Sequence, residues 1–120
     1  DIILASGATN SGDEVYIQCS AEGDLQSMSK NRNLLAHVDG ELVGISKISA
    51  PTLKKMITFS EQQYSLGNQA IHYEDALVGV AQKQKLPVKV INDLAWCEID
   101  DESHLQRALA YVYPEILKRK

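Results

Sequence analysis

The chain has 120 residues, a formal net charge of −4, 44% apolar and 23% charged residues, which suits one hydrophobic core and is far from the composition of a disordered chain. Its basic residues are scattered apart from Lys118-Arg119-Lys120, so no electrostatic footprint for a nucleic-acid backbone is visible. No apolar run approaches the roughly 20 residues needed to span a bilayer, which argues against a membrane partner.

Ile2 to Leu4 reads as a short buried strand, followed by a small polar loop, Gly7 to Gly12. Val15, Ile17 and Cys19 alternate with Tyr16, Gln18 and Ser20 at the strand period. Glu22-Gly23-Asp24 then makes a turn, and Leu25 to Met28 returns as the second arm of a hairpin with Lys30 just beyond it. Asp39-Gly40-Glu41 leads into a buried strand, Leu42-Val43-Gly44-Ile45, ending near Ile48; Gly44 inside it suggests close approach of another group to the backbone.

Ser49-Ala50-Pro51 supplies a capping hydroxyl and an early proline for a helix over about 51–63. After the Gly67-Asn68 break, Tyr73, Ala76, Leu77, Val80 and Ala81 fall at helical spacing, with Glu74 and Asp75 in the first turn. Val88 and Val90 give a strand reaching Asn92 at most, and Leu94 to Ile99 a further one; the two form a hairpin or stand as separate edge strands. Asp101 caps a last helix carrying Leu105, Ala108, Leu109, Val112 and Ile116 on one face, which Pro114 should kink or interrupt near Tyr113. Strands mixed with helices and without repeats predict an α/β or α+β fold in a single unit, 1–120.

The two cysteines, Cys19 and Cys97, have no zinc or redox spacing, which fits a reducing compartment and makes the cytoplasm the default location. In Glu98-Ile99-Asp100 a strand period sends both carboxylates to one face and Ile99 into the core, a hard-oxygen arrangement that suits Mg²⁺. From spacing alone, acidic capping of the following helix is the commoner reading of Asp100 and Asp101. Glu74 and Asp75 share the ambiguity, because a helix dipole favours acids in the first turn with or without a ligand. His37, His72 and His104 show no triad or zinc pairing, although His104 stands where a carboxamide or carboxylate would complete a capping box.

Taken in order, Lys30, Gly40-Glu41-Leu42-Val43-Gly44-Ile45, Tyr73-Glu74-Asp75-Ala76-Leu77 and Trp96-Cys97-Glu98-Ile99-Asp100 resemble the nucleotidyltransferases of the phosphocholine cytidylyltransferase type, relatives of the sugar-1-phosphate nucleotidyltransferases. The resemblance runs from about residue 13 to 117 and implies the C-terminal portion of a Rossmann-like fold, α/β with a mixed sheet and about three helices. It implies that Asp100 is the second Mg²⁺ ligand, that Lys30 is the catalytic cation meeting the acceptor phosphate, and that Glu98 and Asp75 line the acceptor pocket. Glu41 and Gly44 would lie along its wall, and Tyr73 would face a trimethylammonium group. The substrates implied are a nucleoside triphosphate, CTP in the first place, and a phosphorylated acceptor such as phosphocholine, an aminoalkylphosphonate or a sugar phosphate.

The family's Gly-rich nucleotide loop and first metal Asp have no counterpart in these residues, and Leu4-Ala5-Ser6-Gly7 only imitates the loop's opening. The expectation is therefore a C-terminal half that does not turn over alone and that self-associates through an exposed sheet edge. His104 replaces an acidic residue that relatives carry early in the last helix. The competing expectation is a non-catalytic ligand-binding or dimerisation module whose carboxylates are caps and surface charges.

Overall fold

The computed structural model describes residues 1–120. Five strands form one mixed sheet in the order β3-β2-β4-β1-β5: β1 (Ile2–Ser6), β2 (Tyr16–Cys19), β3 (Leu25–Ser29), β4 (Gly40–Lys47) and β5 (Val88–Ile91). β1 runs parallel to β5, and every other pairing is antiparallel. The β2–β3 hairpin follows from its alternation, with Tyr16 opposite Ser29 and Ile17 opposite Met28. With its helices the fold is α/β.

Two helices, α1 (Ala50–Ser65) and α2 (Tyr73–Ala81), connect β4 to β5. Ser49 caps α1, its hydroxyl accepting from the Thr52 amide at 3.4 Å as the serine-proline signal requires. α2 sets Ala76, Leu77 and Val80 against the sheet, where Leu77 and Val80 join Ile3, Ala5, Ile17, Leu25, Leu42 and Leu86 in the core. α1 rests on α2 through Phe59, whose ring lies so close to Gly79 that a Cβ there would stand 2.3 Å from it. No helix is long and apolar enough to cross a membrane.

Gly44 serves a different end from the one its sequence context suggests. Nothing lies nearer than 4.0 Å to a Cβ built there, and its φ is +82°. Ile3 pairs with Ser46 but Ala5 with Leu42, so β4 carries surplus residues at this point. The bulge, not a close approach, calls for glycine. Beyond it Ile45 turns out to solvent.

The C-terminal part departs further from expectation. Leu94 to Ile99 forms no strand: after β5 the Leu94 amide donates to the Ile91 carbonyl in a turn, and the chain leaves the sheet without a ladder partner. Ile99 is consequently 54% exposed instead of entering the core. The last helix is interrupted as proline predicts, in the form of α3 (Glu102–Arg107), a π-helical turn (Ala108–Val112) and α4 (Tyr113–Lys118). Of its predicted apolar face only Ala108 is buried, and Leu109 is more than half exposed.

Candidate functional site

A cavity of about 240 Å³ opens where the loop after β1, the start of β4, the first turn of α2 and the segment 96–107 meet. Six carboxylates line it, those of Asp13, Glu14, Glu41, Glu74, Glu98 and Asp100, against the full cations of Lys30 and Arg107. It is small for a ligand pocket, and its sign favours a cation or a cationic group. Lys30, Glu41, Tyr73, Glu98 and Asp100, five residues singled out in sequence order, all stand on its wall.

Carboxylate oxygens of Asp13, Glu98 and Asp100 lie within 4.8 Å of one another. Opposite ligands of an octahedral Mg²⁺ are about 4.2 Å apart, so a small contraction would let these three oxygens share one ion, and hard oxygen is the donor type Mg²⁺ takes. Glu98 and Asp100 come together as their spacing of two predicts, although the segment is not a strand. Asp13 joins through hairpin register: Tyr16 opposite Ser29 brings the chain before β2 beside the chain after β3.

Lys30 Nζ donates to Asp13 Oδ1 at 2.6 Å. That hydrogen bond, with the attached charge, holds the Asp13 carboxyl below its ordinary range and the Lys30 ammonium above its own. Both side chains are solvent-accessible, so the pair is loose enough to exchange partners. Glu41 is fixed: it is buried, and its Oε2 accepts from the Thr9 amide at 3.0 Å and the Thr9 hydroxyl at 2.6 Å. Burial first, then Glu74 and Glu98, pushes the Tyr73 hydroxyl upward, keeping it protonated at neutral pH.

The buried polar atoms left without a partner gather here. They are Ser46 Oγ, Glu74 Oε2, Trp96 Nε1 and Arg107 Nε, and all but the first belong to residues lining the cavity. Orphaned buried donors and acceptors are rare, and their concentration at one opening marks a place that a polar solute would complete.

Two expected residues stand elsewhere. Asp75 accepts from the His72 amide at 2.8 Å and caps α2, so it does not line the cavity; Glu74, one position earlier and rotated about 100° around the helix, lines it in its place. Gly44 borders Glu98 without forming wall. His104, read as unpaired, lines the cavity: its Nδ1 is 3.3 Å from the Asp100 amide, which donates to it, and its own amide donates to Asp101 Oδ1 at 2.9 Å. The imidazole thus bonds one residue before the cap, where a capping box would take the Asp101 amide. Asp13 and Arg107 carry no local sequence mark as site residues, the hairpin register being the signal for the first, whereas Glu74 stands beside Asp75 as an acid whose first-turn position suits a cap or a ligand.

No family model matches the chain.

Proposed function

We propose that this chain is the acceptor- and metal-binding half of a nucleotidyltransferase, which moves a nucleoside monophosphate, CMP in the first place, from its triphosphate to a phosphorylated acceptor. The observation that carries this reading is the convergence of Lys30, Glu41, Tyr73, Glu98 and Asp100, widely separated in sequence, on one acidic cavity. The orphaned polar atoms of Glu74, Trp96 and Arg107 on the same wall support it.

In this reading an acceptor phosphate oxygen attacks the α-phosphorus of the nucleotide, the new P–O bond forms as the bond to pyrophosphate breaks, and pyrophosphate leaves with the electron pair. A phosphate oxygen is already a nucleophile, so no general base is needed. Lys30 releases Asp13 and turns its ammonium to the acceptor phosphate. Asp100, with Glu98 and the freed Asp13, would hold Mg²⁺, which offsets the charge that two anions bring together. Tyr73 offers its ring, and Glu74 and Glu98 their charge, to a cationic end of the acceptor. Glu41, held by Thr9, keeps the wall in place.

The competing reading is a non-catalytic ligand-binding or dimerisation module, favoured by the Lys30–Asp13 pair, which closes the site's flexible cation on its own carboxylate. Pyrophosphate release decides between them. The protein that carries this chain, given CTP, Mg²⁺ and a panel of phosphocholine, aminoalkylphosphonates and sugar phosphates, is expected to release pyrophosphate with one acceptor class. Lys30→Met and Asp100→Asn should each lower the rate by about a hundredfold or more. No release with any nucleotide or acceptor, or undiminished release in both variants, overturns the proposal.

A further inference from the structure

A second cavity lies on the helical layer and has the opposite electrostatic character. It is a groove of about 290 Å³ between α1 and the C-terminal end of α2, lined by Lys54, Lys55 and Lys83 with no carboxylate among them. It shares no residue with the acidic cavity, so an inference about it stands apart from the function proposed above. The chain's net charge is −4, which makes this acid-free lining a local inversion.

None of the three lysines is in an ion pair. Lys54 and Lys55 follow directly on the first turn of α1, which holds no acid of its own; the Asp1 carboxylate sits on the helix end at Ser49 and Thr52 and does not line the groove. Lys55 is also positioned. Its Nζ donates to Gln84 Oε1, the Gln84 amide donates to Thr52 Oγ1 at 3.0 Å, and buried Thr52 donates in turn to the Asp1 carboxylate. A lysine tied down at its tip has already lost the rotamer freedom that ligand binding would otherwise cost.

The floor is apolar. The Phe59 ring seated on Gly79, with Val80 beside it, lines the groove together with the three lysines and Thr58. We propose that this groove binds a small amphipathic anion, an aromatic or short apolar body carrying a phosphate or carboxylate. The body would lie over Phe59 and the head between Lys54, Lys55 and Lys83. The volume sits at the lower limit of ligand pockets, which restricts the body to about one ring.

The test is titration of the full chain with phenyl phosphate, benzoate, inorganic phosphate and phenol, following the backbone amides of Thr58, Gly79 and Lys83 by ¹H–¹⁵N NMR. Saturable shifts at these amides with phenyl phosphate or benzoate are expected, and whichever binds tighter identifies the head group. Inorganic phosphate and phenol should each bind at least about tenfold more weakly, since each lacks one half of the recognition. The K54Q/K83Q variant breaks no ion pair, so its dispersed spectrum serves as the folding control; it should weaken binding by about tenfold or more. The absence of saturable shifts, equal binding of inorganic phosphate, or undiminished binding by K54Q/K83Q overturns the proposal.

Discussion

The sheet with α2 and the C-terminal segment from Leu94 onward make the two halves of the acidic cavity by different means. Around β1, β2 and α2 the apolar side chains are sealed: Ile3, Ala5, Ile17 and Leu86 have no exposed surface and Leu77 retains 1%. In the C-terminal segment Leu109, Tyr111 and Tyr113 are each more than half exposed, and Ala108 is the residue buried. The chain's radius of gyration, 15.6 Å, exceeds the roughly 14 Å of a compact domain this long, in keeping with a segment that lies across the sheet end without sinking in. Lys30, Glu41 and Tyr73 thus come from the sealed scaffold or its margin, while Glu98, Asp100 and His104 come from a segment held by caps. The expectation is that the cavity changes on one side without the other unfolding.

The largest effect that would test this contrast is on stability. Leu77→Ala should destabilise the fold by about 2–5 kcal/mol in urea unfolding, because the side chain is fully enclosed and leaves a cavity. Leu109→Ala should cost less than about 0.5 kcal/mol, because little of it is removed from water. Similar losses in the two variants would show that the sheet and the C-terminal segment are packed alike. Next in size is Ser49→Ala, which removes the cap of α1 and should cost about 1 kcal/mol. α1 packs on α2, outside the acidic cavity, so this variant should leave divalent-cation affinity unchanged, as measured by manganese binding; a parallel loss of affinity would show that the helical layer and the cavity are coupled.

What could be read from the sequence divides along the same line. The hairpin, the capped start of α1 and the apolar stripe of α2 depend on residues close in sequence, and each forms where alternation, Ser49-Pro51 or helical spacing puts it. The segment 94–99 has the apolar run of a buried strand, yet composition cannot supply a partner: β5 already uses β1 on one edge, and the turn at Asn92-Asp93 carries the chain away from the other. The site divides in the same way. The spacing of Glu98 and Asp100 brings those two carboxylates together, but the third, Asp13, arrives through the long-range pairing of β2 with β3. Asp75 was misplaced because capping and cavity-lining both favour an acid in the first turn, and only the orientation of adjacent positions separates it from Glu74.

The smallest effect expected is also the one most particular to the C-terminal segment. Asp101 caps α3, and its carboxyl is held below the ordinary range first by the His104 amide and then by the Ser103 hydroxyl; Asp13 is held down by Lys30. Because both values are lowered in the fold, their contribution is complete above the ordinary carboxylate range and is lost as pH falls through the folded values. Acid should therefore loosen the cap and the Lys30–Asp13 pair while the sheet, whose core cluster is built of apolar side chains, persists. Trp96 is the only tryptophan and lines the cavity, so its fluorescence should begin to change at a higher pH than far-UV circular dichroism. Asp101→Ala should remove part of that early change and speed amide exchange at His104 without affecting exchange at Ile3 or Ile17. If the two spectroscopic transitions coincide, the sheet and the segment unfold as one unit, and the cavity has no independently mobile side.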